Sequence, residues 1–283
     1  MKIIVFVVAL FTSLFTAAQK ADDINIEVNL VASNVYMLTG AGGNIGLLAT
    51  KDGLLLVDDQ FAPLATKIEA ALKRIEDKPI KYIVNTHYHG DHTGGNSHFS
   101  KHAPIFAHEN VRKRLASNQT LSAAALPVVT YENGVNIHLA EETVSLIHLS
   151  SGHTDGDSVV LFNKANVLHA GDLFFEGRFP YIDLNAGGTV RGYLENIEYL
   201  IEQLPDDVKI IPGHGKLSDK NGLRKVAEMM RFSIKFVEQS ILSGMSEQQI
   251  TETGLGPDYQ GLSWNFITEE KWLKTLYEDL NQK

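Results

Sequence analysis

The chain has no cysteine, so no disulfide can form and no thiolate can ligate a metal. Any metal site must be built from nitrogen and oxygen donors. The same absence removes the lipid-modified N-terminal cysteine that anchors some exported proteins, which favours a soluble product. Cationic excess is lacking too: 25 Lys and Arg stand against 34 Asp and Glu, a formal charge of −9, with no basic stripe. That disfavours a nucleic-acid partner, because phosphate contacts supply most of such binding. No fixed-period repeat, low-complexity tract or Pro/Gly/Ser-rich linker divides the chain. Its 283 residues, 44% hydrophobic and 21% charged, read as one α/β domain able to bury a full core.

One apolar run stands apart. Residues 3–15 follow Lys2 and precede Thr16-Ala17-Ala18. The run is too short to span a bilayer, and its order (basic residue, apolar stretch, small residues) is that of a secretory signal. Residues 1–18 are therefore read as a signal peptide and residues 19–283 as the folded domain, placed in the periplasm or secreted, with no stable membrane insertion. Without Lys2 the mature chain has 24 basic residues against 34 acidic ones, a formal charge of −10.

In the first half, β-type runs at 24–30, 35–38, 45–49 and 54–57 alternate with turns at Gly40–Asn44 and Asp52-Gly53. A helix follows, with Leu64, Ile68, Leu72 and Ile75 on one face. Residues 79–86 then read as a buried strand. The second half repeats this grammar, with strands at 144–149, 158–162 and 166–170. A helix from about Thr189 follows, then a strand at 208–211, a long helix carrying Leu223 to Ile241 at spacings of three and four, and a helical C-terminus. Strands followed by a helix in each half predict two mixed β-sheets packed face to face with helices outside, a four-layer α/β sandwich.

The strand at 79–86 runs into His87-Tyr88-His89-Gly90-Asp91-His92. Imidazole nitrogen and carboxylate oxygen are the expected ligands of zinc. His87 and His89, alternating on an extended segment, can point to one ion, while Asp91 and His92, at the turn into the next helix, point to a second.

This H-x-H-x-D-H run resembles the signature of the metallo-β-lactamase superfamily. Three further elements match in order: Gly152-His153-Thr154, Ala170-Gly171-Asp172 and Pro212-Gly213-His214-Gly215. The resemblance spans about residues 24–216. It implies the αββα sandwich of that superfamily and two Zn2+ ions per chain. His87, His89 and His153 would hold the first, Asp91, His92 and His214 the second, and Asp172 would bridge them. Two metals about 3.5–4 Å apart can share a hydroxide, which Asp91 is placed to orient as the catalytic proton shuttle.

Asp172 bears on the subgroup. Dedicated zinc β-lactamases lack a bridging aspartate there, whereas glyoxalase II and acyl-homoserine lactonases have one. The expected activity is therefore hydrolysis of a small ester, lactone, thioester or amide, with β-lactam hydrolysis as the alternative and a non-catalytic binding module as the alternative of another class. An iron redox role is disfavoured because flavodiiron proteins carry glutamate at the place of His89. The C-terminal helices lack the basic pattern expected of glyoxalase II.

The loop after Asp172 offers Phe174, Arg178 and Tyr181 as substrate-binding residues for a small molecule. The Gly40–Asn44 tip can serve as a flap over the metals, and His169 can support the ligands from behind. The other histidines, Asp155 and Asp157 are read as structural. Cleavage of the leader predicts a mature N-terminus near Gln19. Intact-mass measurement on the protein from its natural host tests this, and retention of residues 1–18 in a membrane fraction would refute it.

Overall fold

The computed structural model describes residues 21–281, so the expected signal peptide lies outside the described residues. The first sheet has seven strands whose spatial order is their chain order. They are β1 (Glu27–Ala32), β2 (Val35–Thr39), β3 (Ile45–Thr50), β4 (Gly53–Val57), β5 (Ile80–Val84), β6 (Ile105–His108) and β7 (Val129–Tyr131). Pairing is antiparallel from β1 to β4 and parallel from β4 to β7. A parallel step needs a crossover. Helix α1 (Ala65–Ile75) supplies the one between β4 and β5, burying Ala65, Ile68, Ala71 and Leu72 on the face that the spacing predicted. Two single-turn helices, α2 (Gly90–Thr93) and α3 (Asn96–Phe99), follow β5, and α4 (Glu109–Ser117) follows β6.

The second sheet holds β8 (Gly134–Leu139), β9 (Glu142–His148), β10 (Ser158–Phe162), β11 (Val167–His169), β12 (Lys209–Ile211) and β13 (Ser218–Asp219). Its spatial order is β13-β12-β11-β10-β9-β8. Only β11 and β12 run parallel, and the crossover between them carries α5 (Val190–Gln203), capped by the Thr189 hydroxyl. Asp219 caps α6 (Lys220–Leu242) by accepting from the Asn221 and Gly222 amides. Then come α7 (Glu247–Thr253), a 3-10 turn at Pro257–Leu262, and α8 (Glu269–Leu280). The expected helical C-terminus is thus interrupted by a non-helical stretch at 263–268.

Three apolar layers make the sandwich. Between the sheets lie Met37, Leu48 and Val84 of one and Leu146, Phe162 and Ile211 of the other. The outer face of the first sheet packs Leu47, Leu54 and Ile83 on Ile68, Leu72 and Phe99. The outer face of the second sheet is covered by Tyr193, Ile197, Leu223, Met230 and Trp272 from α5, α6 and α8. The order is helix, sheet, sheet, helix, as the sequence predicted. Among the described residues no helix is long and apolar enough to cross a membrane.

Two expectations are corrected. The Gly40–Asn44 tip is not a free flap. Gly43 N donates to Asp91 O at 3.1 Å and Asn44 N to Gly213 O at 2.7 Å. The buried Asn44 side chain also donates to Pro212 O and Gly215 O. A side chain at position 43 would meet the His92 ring at 2.1 Å, so only glycine permits this approach. Phe174, expected to meet substrate, is fully buried in the helix-covered core. Its backbone is extended (φ −144°, ψ 113°), so successive side chains face opposite ways, and Phe175, itself buried, lines the cleft instead.

Asn44 ties the first sheet to the loop carrying His214. Asn44→Ala leaves two carbonyls without their donor and is expected to cost about 1–3 kcal/mol. Urea denaturation with chelator present measures the loss without any contribution from metal. A change below about 0.5 kcal/mol would show that the tip is held by other contacts.

Candidate metal centre

Motif residues gather where strands end. His87 to His92 leave the C-terminal end of β5, Asp172 follows β11 and His214 follows β12. Such ends of parallel strands are where open α/β sheets place ligands. Of three groups among the described residues able to hold a metal ion, two lie here side by side, His87, His89, His153 and Asp172, and Asp91, His92 and His214; the third is Glu69, His98 and His102. In each, the donor atoms lie within 4.8 Å of one another.

Asp172 faces both. Its Oδ2 is 3.7 Å from His87 Nε2 and 3.5 Å from His153 Nε2, while Oδ1 is 3.1 Å from His92 Nε2 and 3.5 Å from His214 Nε2. Asp91 Oδ2 lies 3.2 Å from His214 Nε2.

The hydrogen bonds on the far side of each ring decide which nitrogen faces inward. His153 Nδ1 donates to Tyr181 O at 2.7 Å, and His89 Nε2 to Asp183 Oδ2 at 3.0 Å. His92 Nδ1 donates to Asp58 Oδ2 at 2.7 Å. Thr86 Oγ1 gives its own proton to Asp58 Oδ2 and so accepts from His87 Nδ1 at 3.0 Å. The inward nitrogens of His87, His89 and His153 are left as lone pairs. Those of His153 and His89 are only 2.8 Å apart, an arrangement that a cation stabilises. His87 Nε2 and Asp172 Oδ1 are buried with no hydrogen-bond partner among the described residues. The donor set therefore fits a metal pair of the nitrogen- and oxygen-ligand kind.

The electrostatics differ between the groups. Burial holds His87 well below the ordinary histidine value and takes His153 down to about 4, so both are neutral. Burial also opposes charge on His92 and His214, but the carboxylates of Asp172 and Asp91 outweigh it. His92 is held well above its ordinary value and His214 is raised to about 9. Asp172 is pushed up by burial yet held well below the carboxylate range by His214, His92 and His87.

Sequence reasoning missed Asp58, Tyr88 and Asp183. Asp58, at the end of β4, accepts from Thr86 N at 2.8 Å as well as from His92. Asp183 accepts from Tyr88 Oη at 2.6 Å and is held down near 2: burial raises it, and its hydrogen bonds from His89 and Tyr88 more than reverse this. An acidic pair, Asp58-Asp59, straight after an apolar strand was the visible sign of the first; nothing local marked Asp183, 94 residues from His89.

His169 lies in neither group. It holds the Asn44 carbonyl through Nε2 at 3.0 Å. Asp157 turns back on Thr154 and Asp155 pairs with Arg114, as structural residues do. Tyr181 lines the cleft over the two groups. Arg178 does not; its guanidinium packs on the Trp264 ring at 5.0 Å.

A sandwich of this order with two such groups at its strand ends defines a metal-binding α/β fold. A family model described as the metallo-beta-lactamase superfamily matches residues 38–214, and the chain belongs to that superfamily. It is a metal-dependent hydrolase. Over 232 residues it is 25% identical to a metallo-beta-lactamase type 2 of Bacillus sp. (strain 170), covering 76% of this chain and 89% of the relative. Over 186 residues it is 27% identical to a hydroxyacylglutathione hydrolase of Prochlorococcus marinus (strain MIT 9301), covering 65% and 69%. Two solved structures show the shared fold. A metallo-beta-lactamase from Pontibacter korlensis has a TM-score of 0.64 at 20% identity, over 73% of this chain and 99% of that one. A double mutant of the sec-alkyl sulfatase PisA1 has a TM-score of 0.74 at 14% identity, over 91% of this chain and half (50%) of that one.

The far-side hydrogen bonds generate a test. Asp58→Ala should weaken both ions, acting on His92 directly and on His87 through Thr86, whereas Asp183→Ala should weaken mainly that of the His89 group, by about 10–100-fold. Stepwise competition with a chromophoric chelator resolves the two. Equal weakening of both ions by Asp183→Ala, or an Asp58→Ala effect confined to one ion, would refute this wiring.

Proposed function

We propose that the chain is an exported hydrolase that uses two zinc ions to cleave the acyl bond of a small ester, lactone, thioester or amide. The carrying observation is the Asp172 carboxylate, with one oxygen toward each group at 3.1–3.7 Å from the four nearest ring nitrogens. Residues His87, His89 and His153 would hold one ion and Asp91, His92 and His214 the other, with Asp172 between them. Bound zinc supplies Lewis acidity toward the scissile carbonyl and lowers the pKa of water to about 7.

The chain's own groups supply position and proton transfer. Asp91 is half-buried on the cleft wall, ionised, and held by His214. It can orient an attacking water and accept its proton, then return that proton to the leaving group. Phe175, stacked on His214 at 5.2 Å, shields that imidazole from solvent. Export is supported by the Lys2, apolar, Thr16-Ala-Ala order of the leader. A second reading, β-lactam hydrolysis, is supported by relatives that are named metallo-beta-lactamases.

Metal analysis after zinc reconstitution is expected to give about two equivalents per chain, lost on chelation; a value near zero would sink the two-metal reading. Asp172→Ala should release mainly the second ion and lower turnover by about two orders of magnitude or more. Asp91→Asn should keep more metal yet lose turnover. A screen of lactones, thioesters and β-lactams supplies the substrate. Should Asp172→Ala retain both ions and near-normal turnover, Asp172 is no bridge and the β-lactamase reading gains.

A further inference from the structure

The cleft over the two groups, about 870 Å³, has a wall outside the segment that the family model matches. Residues 263–268, between the 3-10 turn and α8, supply it. They are fastened firmly: Trp264 Nε1 donates to Phe179 O and Phe179 N to Leu262 O, both at 2.9 Å.

Ring contacts lead from both metal-binding groups to this wall. From one, His214 meets Trp264 at 5.9 Å between ring centres, and Trp264 meets Phe266 at 5.6 Å. From the other, His89 meets Tyr181 at 5.6 Å and Tyr181 meets Phe266 at 5.1 Å. The two series converge on Phe266, which is 50% exposed, although a bare aromatic ring gains by being covered.

Beyond it stands Lys271, in the first turn of α8. Its Nζ donates to Phe266 O at 2.8 Å, lies 5.6 Å from the ring centre, and makes no ion pair among the described residues. The carboxylates of the cleft, Asp91, Asp172 and Asp183, are all engaged with histidines. The cleft therefore runs from a polar floor, across an aromatic belt, to a single ammonium at its rim, in a chain whose net charge is −9.

We propose that the substrate is an amphipathic anion: an acyl compound whose aromatic or branched apolar body lies on Trp264 and Phe266 and whose carboxylate pairs with Lys271. The scissile bond then falls at the metal-binding floor, and in this the inference rests on the hydrolase reading above. A neutral polar end gains little from Lys271, whereas a carboxylate gains a charge-assisted hydrogen bond. The aromatic belt selects for a flat or bulky body and excludes water around it.

Binding and turnover are tested apart. Fluorescence reads binding, because Trp272 is fully buried and Trp264 lies in the cleft, and these are the chain's 2 tryptophans. The zinc-reconstituted protein is titrated with 4-phenylbutyrate and with 4-phenylbutanol, and the titrations are repeated after chelation. The acid is expected to bind about tenfold tighter than the alcohol in both states. Lys271→Gln should bring the ratio near one and Lys271→Arg should restore it. Trp264→Phe should silence the fluorescence response while calorimetry still detects binding, and Trp264→Ala should weaken both ligands.

For turnover, two aryl esters of equal length, one ending in carboxylate and one in methyl, are compared. Lys271→Gln should lower their kcat/KM ratio about tenfold, through KM. An unchanged ratio of binding or of kcat/KM in Lys271→Gln overturns the anion assignment, even if both esters are hydrolysed. Carboxylate-selective binding without hydrolysis of either ester upholds the cleft assignment and counts against the hydrolase reading instead.

Discussion

The buried carboxylate of Asp58 is the hinge of the centre. It sits where β4 ends, with a left-handed φ of 62° and no exposure to solvent. Such a backbone costs on the order of 1–3 kcal/mol and a buried charge costs more. Both are offset because every lone-pair direction in use meets a donor: Thr86 N, Thr86 Oγ1 and His92 Nδ1. Through Thr86 the same carboxylate fixes His87. One side chain on β4 thus sets the ring orientation of a histidine in each group. The next two residues extend the tie, Asp59 accepting from Gly95 N and Gln60 donating to Gly43 O. The loop bearing His87 to His92 is therefore held from its far side before any ion arrives.

The residues that face inward were legible because their chemistry is local. Three histidines and an aspartate within six positions, and glycine-flanked His153, Asp172 and His214, mark themselves in the sequence. The long periodic elements were legible too, since α1 and α6 bury the faces that their spacing gave. Much of what escaped was short or distant, although β8 and α4, of six and nine residues, went unread as well. Strands β6 and β7 have four and three residues, too few for alternation to show. The Asp183–His89 contact spans 94 positions with no repeating pattern between them. Phe174 and Phe175 were separable only by backbone direction, which composition does not carry.

The two groups also differ in what they ask of an arriving cation. The first offers His87 and His153 as neutral imidazoles, with His89 and half of one carboxylate. The second offers two imidazoles that Asp91 and Asp172 hold protonated in the absence of metal. Filling the second must release protons, whereas filling the first releases few, because bound ligands are deprotonated. Because Asp172 faces both groups, a cation held by one would alter the field at the other.

Chemistry and selectivity lie in different parts of the chain. The stretch matched by the superfamily ends at His214, the last of the inward-facing histidines. Of the described residues beyond it, β13 joins the edge of the second sheet and α6 to α8 pack on that sheet's outer face, while the non-helical stretch at 263–268 returns to the cleft with Trp264, Asn265 and Phe266. This return is possible because the helical C-terminus is broken there: Trp264 N bonds to Ile267 O, and α8 restarts from the Thr268 cap. An uninterrupted helix would have kept those rings against solvent or core. Breaking it puts three side chains over a centre built entirely elsewhere, so the wall can vary without disturbing the hydrogen bonds that aim the histidines. The floor decides which bond is cut, and the break in the C-terminal helices decides what the cleft admits.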